Sequence, residues 1–328
     1  MAWEYAELFD IVNPKIMDMG MMADFWKDEQ TAIRVGSMGY RTRTTKAGTR
    51  LEADIYPMFG REKMGRLRAA RKSMTPEKQR KANISRAKHR LILLMETNFN
   101  AWEDITITLS YAGEEPRYER CQKDIKRFFE KVRRLRKKMN LDPLKYIYAI
   151  GHDEQQRIHA HVVMSGGIDR GQLERTWGHG TANSYQLQEY GNGIQGMANY
   201  LYKQNEKAKI RGERFSMKSW TPSRNLKKPK VRTSDSKVSN RRVKIIAQDF
   251  RNQAKDVMEK VYPGYTLEEC HVFYSDIVDG VYIRCVMRRK EGICSNSGGK
   301  RNTGSTQPVS SDSTRKTQQP TLDDRFCS

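Results

Sequence analysis

Between Asp104 and Lys207 the hydrophobic period changes from two to 3.6 and back several times, and this succession restricts the fold more than any other feature of the chain. Ile105-Thr-Ile-Thr-Leu-Ser alternates as a half-buried strand does, and Gly113-Glu-Glu-Pro116 ends it. Ile125, Phe128, Phe129, Val132 and Leu135 then recur at helical spacing with Lys and Arg between them, which predicts an amphipathic helix with a cationic outer face, stopped near Asn140-Leu-Asp-Pro143. Tyr146 to Gly151 and Ile158 to Met164 read as two strands of an antiparallel hairpin, joined by the polar link His152 to Arg157. A second helix over Asp169–Trp177, an edge strand over Ser184–Glu189 and a third helix over Gly193–Lys207 complete the order β, α, β, β, α, β, α. The expectation is an α+β fold: an antiparallel sheet with a βαββαβ core of the ferredoxin or RRM type and helices on one face.

Flanking segments differ in composition. Residues 1–85 read as a basic N-terminal region of uncertain order, with a helix start at Thr75-Pro-Glu. Residues 86–210 hold the core, and residues 211–290 read as a basic segment followed by a helical stretch over Val243–Val261 and a strand over Val281–Met287, either packed on the core or separate. From 291 to 328 the chain is rich in Ser, Thr, Gln and Gly and reads as a disordered tail.

The 328 residues hold 61 Lys and Arg against 39 Asp and Glu, a net charge of +22 that favours a polyanionic partner through counterion release. The five cysteines show no CxxC spacing, so free thiols are expected. The longest apolar run, Leu91–Met95, is too short to span a bilayer, and the acidic amino terminus lacks the basic and apolar regions of an export signal. A cytoplasmic protein of a bacterial host cell, with no membrane partner, is the expectation.

His159 and His161 are alternate residues of one strand, so both imidazoles leave the same sheet face and can reach one ion; a merely polar sheet face is the plainer alternative. In the helix that follows, Ile194, Met197, Ala198 and Leu201 form a core-facing stripe. Tyr200 lies on one flank with Lys203 about 60° further round, and Tyr202 lies roughly 160° away on the other flank. Tyr200 with Lys203 thus offers a nucleophile and a phosphate-binding cation.

These motifs, with Thr75-Pro-Glu-Lys-Gln, Asn98-Phe99, Ile105 to Tyr111, Arg157 to Gly167, Ala198 to Lys203 and Ser223 to Pro229, resemble the HUH endonucleases, and among them the replication initiators of rolling-circle plasmids and single-stranded DNA phages. The similarity spans roughly residues 75–290. It implies that His159 and His161 hold a divalent ion, Mg2+ or Mn2+, that Tyr200 attacks the scissile phosphate and that Lys203 assists there. It also implies single-stranded or hairpin origin DNA as substrate, with host helicase and polymerase as partners.

One position departs from the family pattern. Relatives carry a metal-binding glutamate about where Gly151 stands; His152, Asp153 or Glu154 is the candidate third ligand, with His152 nearest. Arg157, Tyr202, Arg224, Lys227 and Lys228 are candidate DNA contacts, and Ser223–Lys230 reads equally as a phosphate-gripping loop or a flexible basic linker. Two other classes stay open: a non-catalytic nucleic-acid-binding module on an RRM-like sheet, and an HUH transposase.

Overall fold

The computed structural model describes residues 39–58, 75–114, 116–152, 157–189, 193–209, 220–274 and 281–290, with isolated helical positions between 59 and 74; the side chains at 78, 81, 152 and 203–209 are outside the description. All of these belong to one compact unit, residues 1–291. Residues 292–328, expected to be a disordered tail, lie outside the described residues.

The periodic segment forms β3 (Ile105–Ser110), α2 (Tyr118–Lys138), β4 (Tyr146–His152), β5 (Ile158–Met164), α3 (Arg170–Trp177), β6 (Ala182–Gln186) and α4 (Gln195–Lys209). Its strands make an antiparallel sheet in the order β6-β3-β5-β4, extended by a two-residue strand β7 (Thr221–Pro222). The βαββαβ succession is therefore present. Helix α2 forms because its apolar positions fall on one stripe, burying Cys121, Ile125, Phe128, Phe129 and Val132, while Arg136, Lys137 and Lys138 complement the dipole at its C-terminal end. It stops where Asn140 turns to φ 58°. Helix α3 starts on an Asp169 cap that accepts the Gln172 N–H, and it ends on left-handed Gly178.

Strand alternation divides this sheet into two faces. Ile105, Ile107, Leu109, Tyr148, Ile150, Ala160 and Val162 pack under α2 and α3, around Phe128, Phe129 and Trp177. On the opposite face Ile147, Ala149 and Val163 meet Leu91 and Met95 of α1 (Pro76–Asn98) together with Ala198 and Leu201 of α4. Helices thus cover both faces, which corrects the expectation of helices on one face only. The reason is visible in β5, where every residue is buried: a strand that is apolar on both sides needs a helix layer on each.

A second five-stranded antiparallel sheet, in the order β8-β1-β2-β10-β9, is built from β1 (Tyr40–Ala47), β2 (Arg50–Pro57), β8 (Lys230–Ser234), β9 (Tyr265–Tyr274) and β10 (Val281–Arg289). Residues 40–57, read above as part of a basic region of uncertain order, are two of its inner strands. One face packs on α5 (Asn240–Gln248) and α6 (Phe250–Val261) through Leu51, Ile55, Val243, Ile246, Met258 and Ile283. The single helical stretch expected over Val243–Val261 is two helices, broken at Asp249 (φ −149°, ψ 71°), whose side chain caps α6.

The other face of this sheet is charged and meets α1. Glu52, 1% exposed, takes Arg50 at 2.8 Å, His89 of α1 at 2.7 Å and Arg284 at 3.2 Å, while Asp54 takes Arg43 at 2.7 Å and Arg284 at 3.6 Å. Burial by itself would raise the Glu52 carboxyl, but His89, Arg284 and Arg50 together hold it well below the usual carboxylate range. Helix α1 therefore serves two sheets at once, with its apolar side on the histidine-bearing sheet and its polar side on the other.

Candidate active site

The β3–β5 and β4–β5 registers define the site. His161 stands opposite Thr108 on one side and Ala149 on the other, and His159 stands opposite Ser110 and Gly151. Both histidines share the face of Val163, toward α1 and α4, with ring centroids 4.7 Å apart. They are 8% and 7% exposed, an unusual burial for imidazoles on a merely polar face.

Each ring is held by a partner. His159 donates Nδ1–H to the Arg157 carbonyl at 3.1 Å, so its Nε2 is the lone-pair nitrogen. His161 Nδ1 lies 3.0 Å from the Thr108 hydroxyl and Nε2 lies 3.3 Å from the Tyr200 hydroxyl. The consistent assignment has Nδ1–H donating to Thr108 and the phenol donating to Nε2. Burial, reinforced by the charge of His159, pushes the His161 imidazolium down to about 3, so the ring is neutral at ordinary pH. Two neutral imidazoles with fixed tautomers are the form in which histidine ligates a cation.

Helix α4 supplies the third member. Ile194, Ala198 and Leu201 anchor it on the sheet, and that stripe carries Tyr200 on its flank to the histidines, with its ring 4.8 Å from that of His161. The helix follows Gly193, whose φ of 70° favours glycine and whose missing side chain leaves room for Arg288 and Glu96. The structure thus brings together His159, His161 and Tyr200. Lys203 lies one turn on in α4, with its side chain outside the described residues. His152 ends β4 at the register position opposite Ile158, one step beyond the Gly151–His159 pair, and its side chain also lies outside the description. Asp153 and Glu154 are outside it altogether. Among the described residues no three His, Cys, Asp or Glu side chains converge on one point, so the histidine pair is the described part of any metal shell.

The proposed DNA contacts separate. Tyr202 is 3% exposed and belongs to the core between α1, α4 and the sheet, which corrects its reading as a DNA contact; it lies on the buried flank of the stripe. Arg157 is exposed and stands at the entry to β5 beside the histidines. Arg224, Lys227 and Lys228 are exposed but follow Ser223, which bonds Tyr146 at the other end of β4, roughly 17 Å from the Gly151 level at strand rise. They belong to a different surface from the histidine pair. Trp177 is a core residue whose indole donates to the Ser110 carbonyl at 2.8 Å.

Sequence reasoning missed two contributors. Thr108 fixes the His161 tautomer, and its signal was the period-two register of β3, which puts Thr106, Thr108 and Ser110 on the histidine face. The β3–β6 half of that face is open: Asn183, opposite Thr108, is exposed, and Tyr185, opposite Thr106, is 53% exposed. An exposed tyrosine in the same face as the histidines is a surface on which a base can stack.

The segment that builds this site has a recognisable relative. Residues 104–207 match the model of a replication-associated protein family, the ORF2 type. The match begins just before β3, ends within α4 and contains His159, His161 and Tyr200; it covers about a third of the chain. DNA replication is the process to which this similarity points. No curated protein and no solved structure matches the chain significantly. Among the described residues no helix is long and apolar enough to cross a membrane.

Proposed function

We propose that the protein starts replication by nicking single-stranded origin DNA, with Tyr200 as nucleophile. The observation that carries this reading is the Tyr200 hydroxyl 3.3 Å from Nε2 of a buried, neutral His161, beside His159, in a segment similar to a replication-associated protein. The Tyr200 oxygen attacks the scissile phosphorus, an oxygen–phosphorus bond forms, and the bond to the 3′-oxygen breaks. The products are a 5′-phosphotyrosine and a 3′-hydroxyl able to prime a polymerase. The phosphotyrosine keeps the phosphodiester activated for rejoining.

His159 and His161 are the residues that would hold a divalent Mg2+ or Mn2+, leaving further positions to water, the phosphate itself and His152. When bound, such an ion offsets the charge that gathers on the phosphate oxygens. The chain's own residues do the positioning. Thr108 and the Arg157 carbonyl orient the two rings, and His161 holds the phenol in line while its low proton affinity makes it a weak acceptor of the phenolic proton. Lys203, one turn beyond Tyr200, is the candidate cation for the phosphate, and the open strip through Thr106 and Tyr185 is a path for the strand.

A labelled origin oligonucleotide, Mn2+ and denaturing electrophoresis test the proposal. The expected result is a covalent protein–DNA adduct that is lost in Tyr200→Phe and retained in Tyr202→Phe. An adduct that survives Tyr200→Phe refutes the assignment of the nucleophile.

A further inference from the structure

Residues 224–244 carry nine Lys or Arg, one acidic residue and no aromatic residue. Sequence alone left the start of this segment open between a gripping loop and a flexible linker, and its contacts make it a docked strip. Ser223 exchanges bonds with the backbone of Tyr146, Asn225 donates to the Leu144 carbonyl, and Asn98 bonds both the N–H and the carbonyl of Lys227. The chain then enters β8, which pairs with β1 from Lys230–Lys46 to Ser234–Thr42. The polar and apolar residues fix the backbone and the cations are left outward.

This charge has no internal counterpart. The one carboxylate of the segment, Asp235, is gripped by Arg41 at 2.6 and 2.8 Å. Among the described residues no ion pair joins any of the nine cations to a carboxylate, whereas Arg43, Arg50, Arg284 and Arg288 are all paired. The arrangement also carries a cost. Lys230 stands directly opposite Lys46, a destabilising like-charge pair, and Arg241 and Arg242 occupy the first turn of α5, which has no acidic residue to match the positive end of the helix. Lys230 and Arg232 share the face of Lys46 and Thr44, which is the side on which α5 and α6 pack.

We propose that the outer edge of β8 and the first turn of α5 form a second DNA site, which grips the sugar-phosphate backbone of duplex DNA. An unpaired row of cations without any aromatic residue suits phosphates and offers no platform for unstacked bases. Duplex DNA, with one charge per roughly 1.7 Å, matches such a row better than a single strand does. The strip lies on the other sheet from the histidine pair, so it would hold duplex flanking the nicked strand. That placement rests on the nicking proposal; the duplex binding does not.

The test is fluorescence anisotropy of the full chain on a 20–30 base-pair duplex between 50 and 200 mM salt, comparing wild type with the variant Lys230→Ala, Arg232→Ala, Arg241→Ala, Arg242→Ala. Each lost phosphate contact lowers the log–log salt slope by about 0.9, so over this range wild type loses about 150-fold more affinity than the variant does. Adduct formation on a short single-stranded oligonucleotide is expected to be unchanged. An unaltered slope would make the cations only a guard on an exposed strand edge and overturn the proposal, as would an equal change on a single strand of the same length. Should the fourfold variant fail to melt cooperatively, single Arg232→Glu decides: weaker duplex binding at fixed salt supports the site and unchanged binding overturns it. Failure of nicking in wild type with the slope change intact would sink the nuclease reading alone.

Discussion

Thr108→Val removes the hydroxyl that accepts from His161 while keeping the β-branched shape of the strand residue. The bond is 3.0 Å long and the ring is 7% exposed, so water has little access to the Nδ1–H left behind. Leaving one buried donor unsatisfied costs about 1–3 kcal/mol. At about 1.4 kcal/mol per factor of ten this corresponds to roughly 5- to 150-fold in an equilibrium constant. Loss of a hydrogen-bond partner behind a metal-binding histidine typically costs about 10–100-fold in metal affinity, within the same range. The expected result is a Mn2+ half-saturation for adduct formation raised by about 10–100-fold, with Thr108→Ser close to wild type. Calorimetric titration of Mn2+ into DNA-free protein gives the same quantity without the reaction. A Thr108→Val protein with wild-type Mn2+ dependence in both assays would show that the Thr108 bond does not prepare His161 for a cation, and the argument from fixed tautomers would fail.

Further expectations concern stability. Glu52→Gln leaves Arg50 and Arg284 buried without their shared counter-charge and should lower unfolding stability in urea by about 3–5 kcal/mol; a change below 1 kcal/mol would mean that the cluster is solvated. Without metal, stability should fall with acid in two stages. His161 holds its proton less tightly folded than unfolded, so its contribution is complete above the ordinary value of 6.5 and is lost as pH drops toward 3; Glu52, also depressed, adds a loss below its ordinary 4.5. Denaturation in chelator across pH 3–8 checks this, and His161→Gln should remove the part between 6.5 and 4.5. Gly48, at φ 58° in the β1–β2 turn, would drive a side chain into the Glu96 carbonyl oxygen, so Gly48→Ala should cost more than about 1 kcal/mol, measured as a lower melting temperature.

The strands and helices from β3 to α4 were legible because their signal is local. Ile105-Thr-Ile-Thr-Leu-Ser can bury one face only as a strand, and the Phe128, Phe129 and Val132 stripe can bury one face only as a helix. The His159–His161 pair and the flank of α4 that bears Tyr200 followed from the same two periods. Strands β1 and β2 were not legible. Their Arg43, Arg50, Glu52 and Asp54 look like solvent-facing charges, and what allows them inside is pairing with Arg284 and His89 far away in the sequence. The run Val162-Val163-Met164 did carry a sign that both faces of β5 are covered, although a short apolar run cannot say which helices do so.

Sequence by itself determined the succession of elements, the cationic surplus and the side of each strand or helix on which a residue sits, since these depend on backbone geometry over a few residues. Only the tertiary structure decided that α4 lies across the histidine face, so that Tyr200 meets His161 and Tyr202 enters the core. It also decided that the basic run from Arg224 to Lys244 is held in place with its charges outward. Both outcomes depend on contacts between residues distant in the chain, whose packing and desolvation no local pattern records.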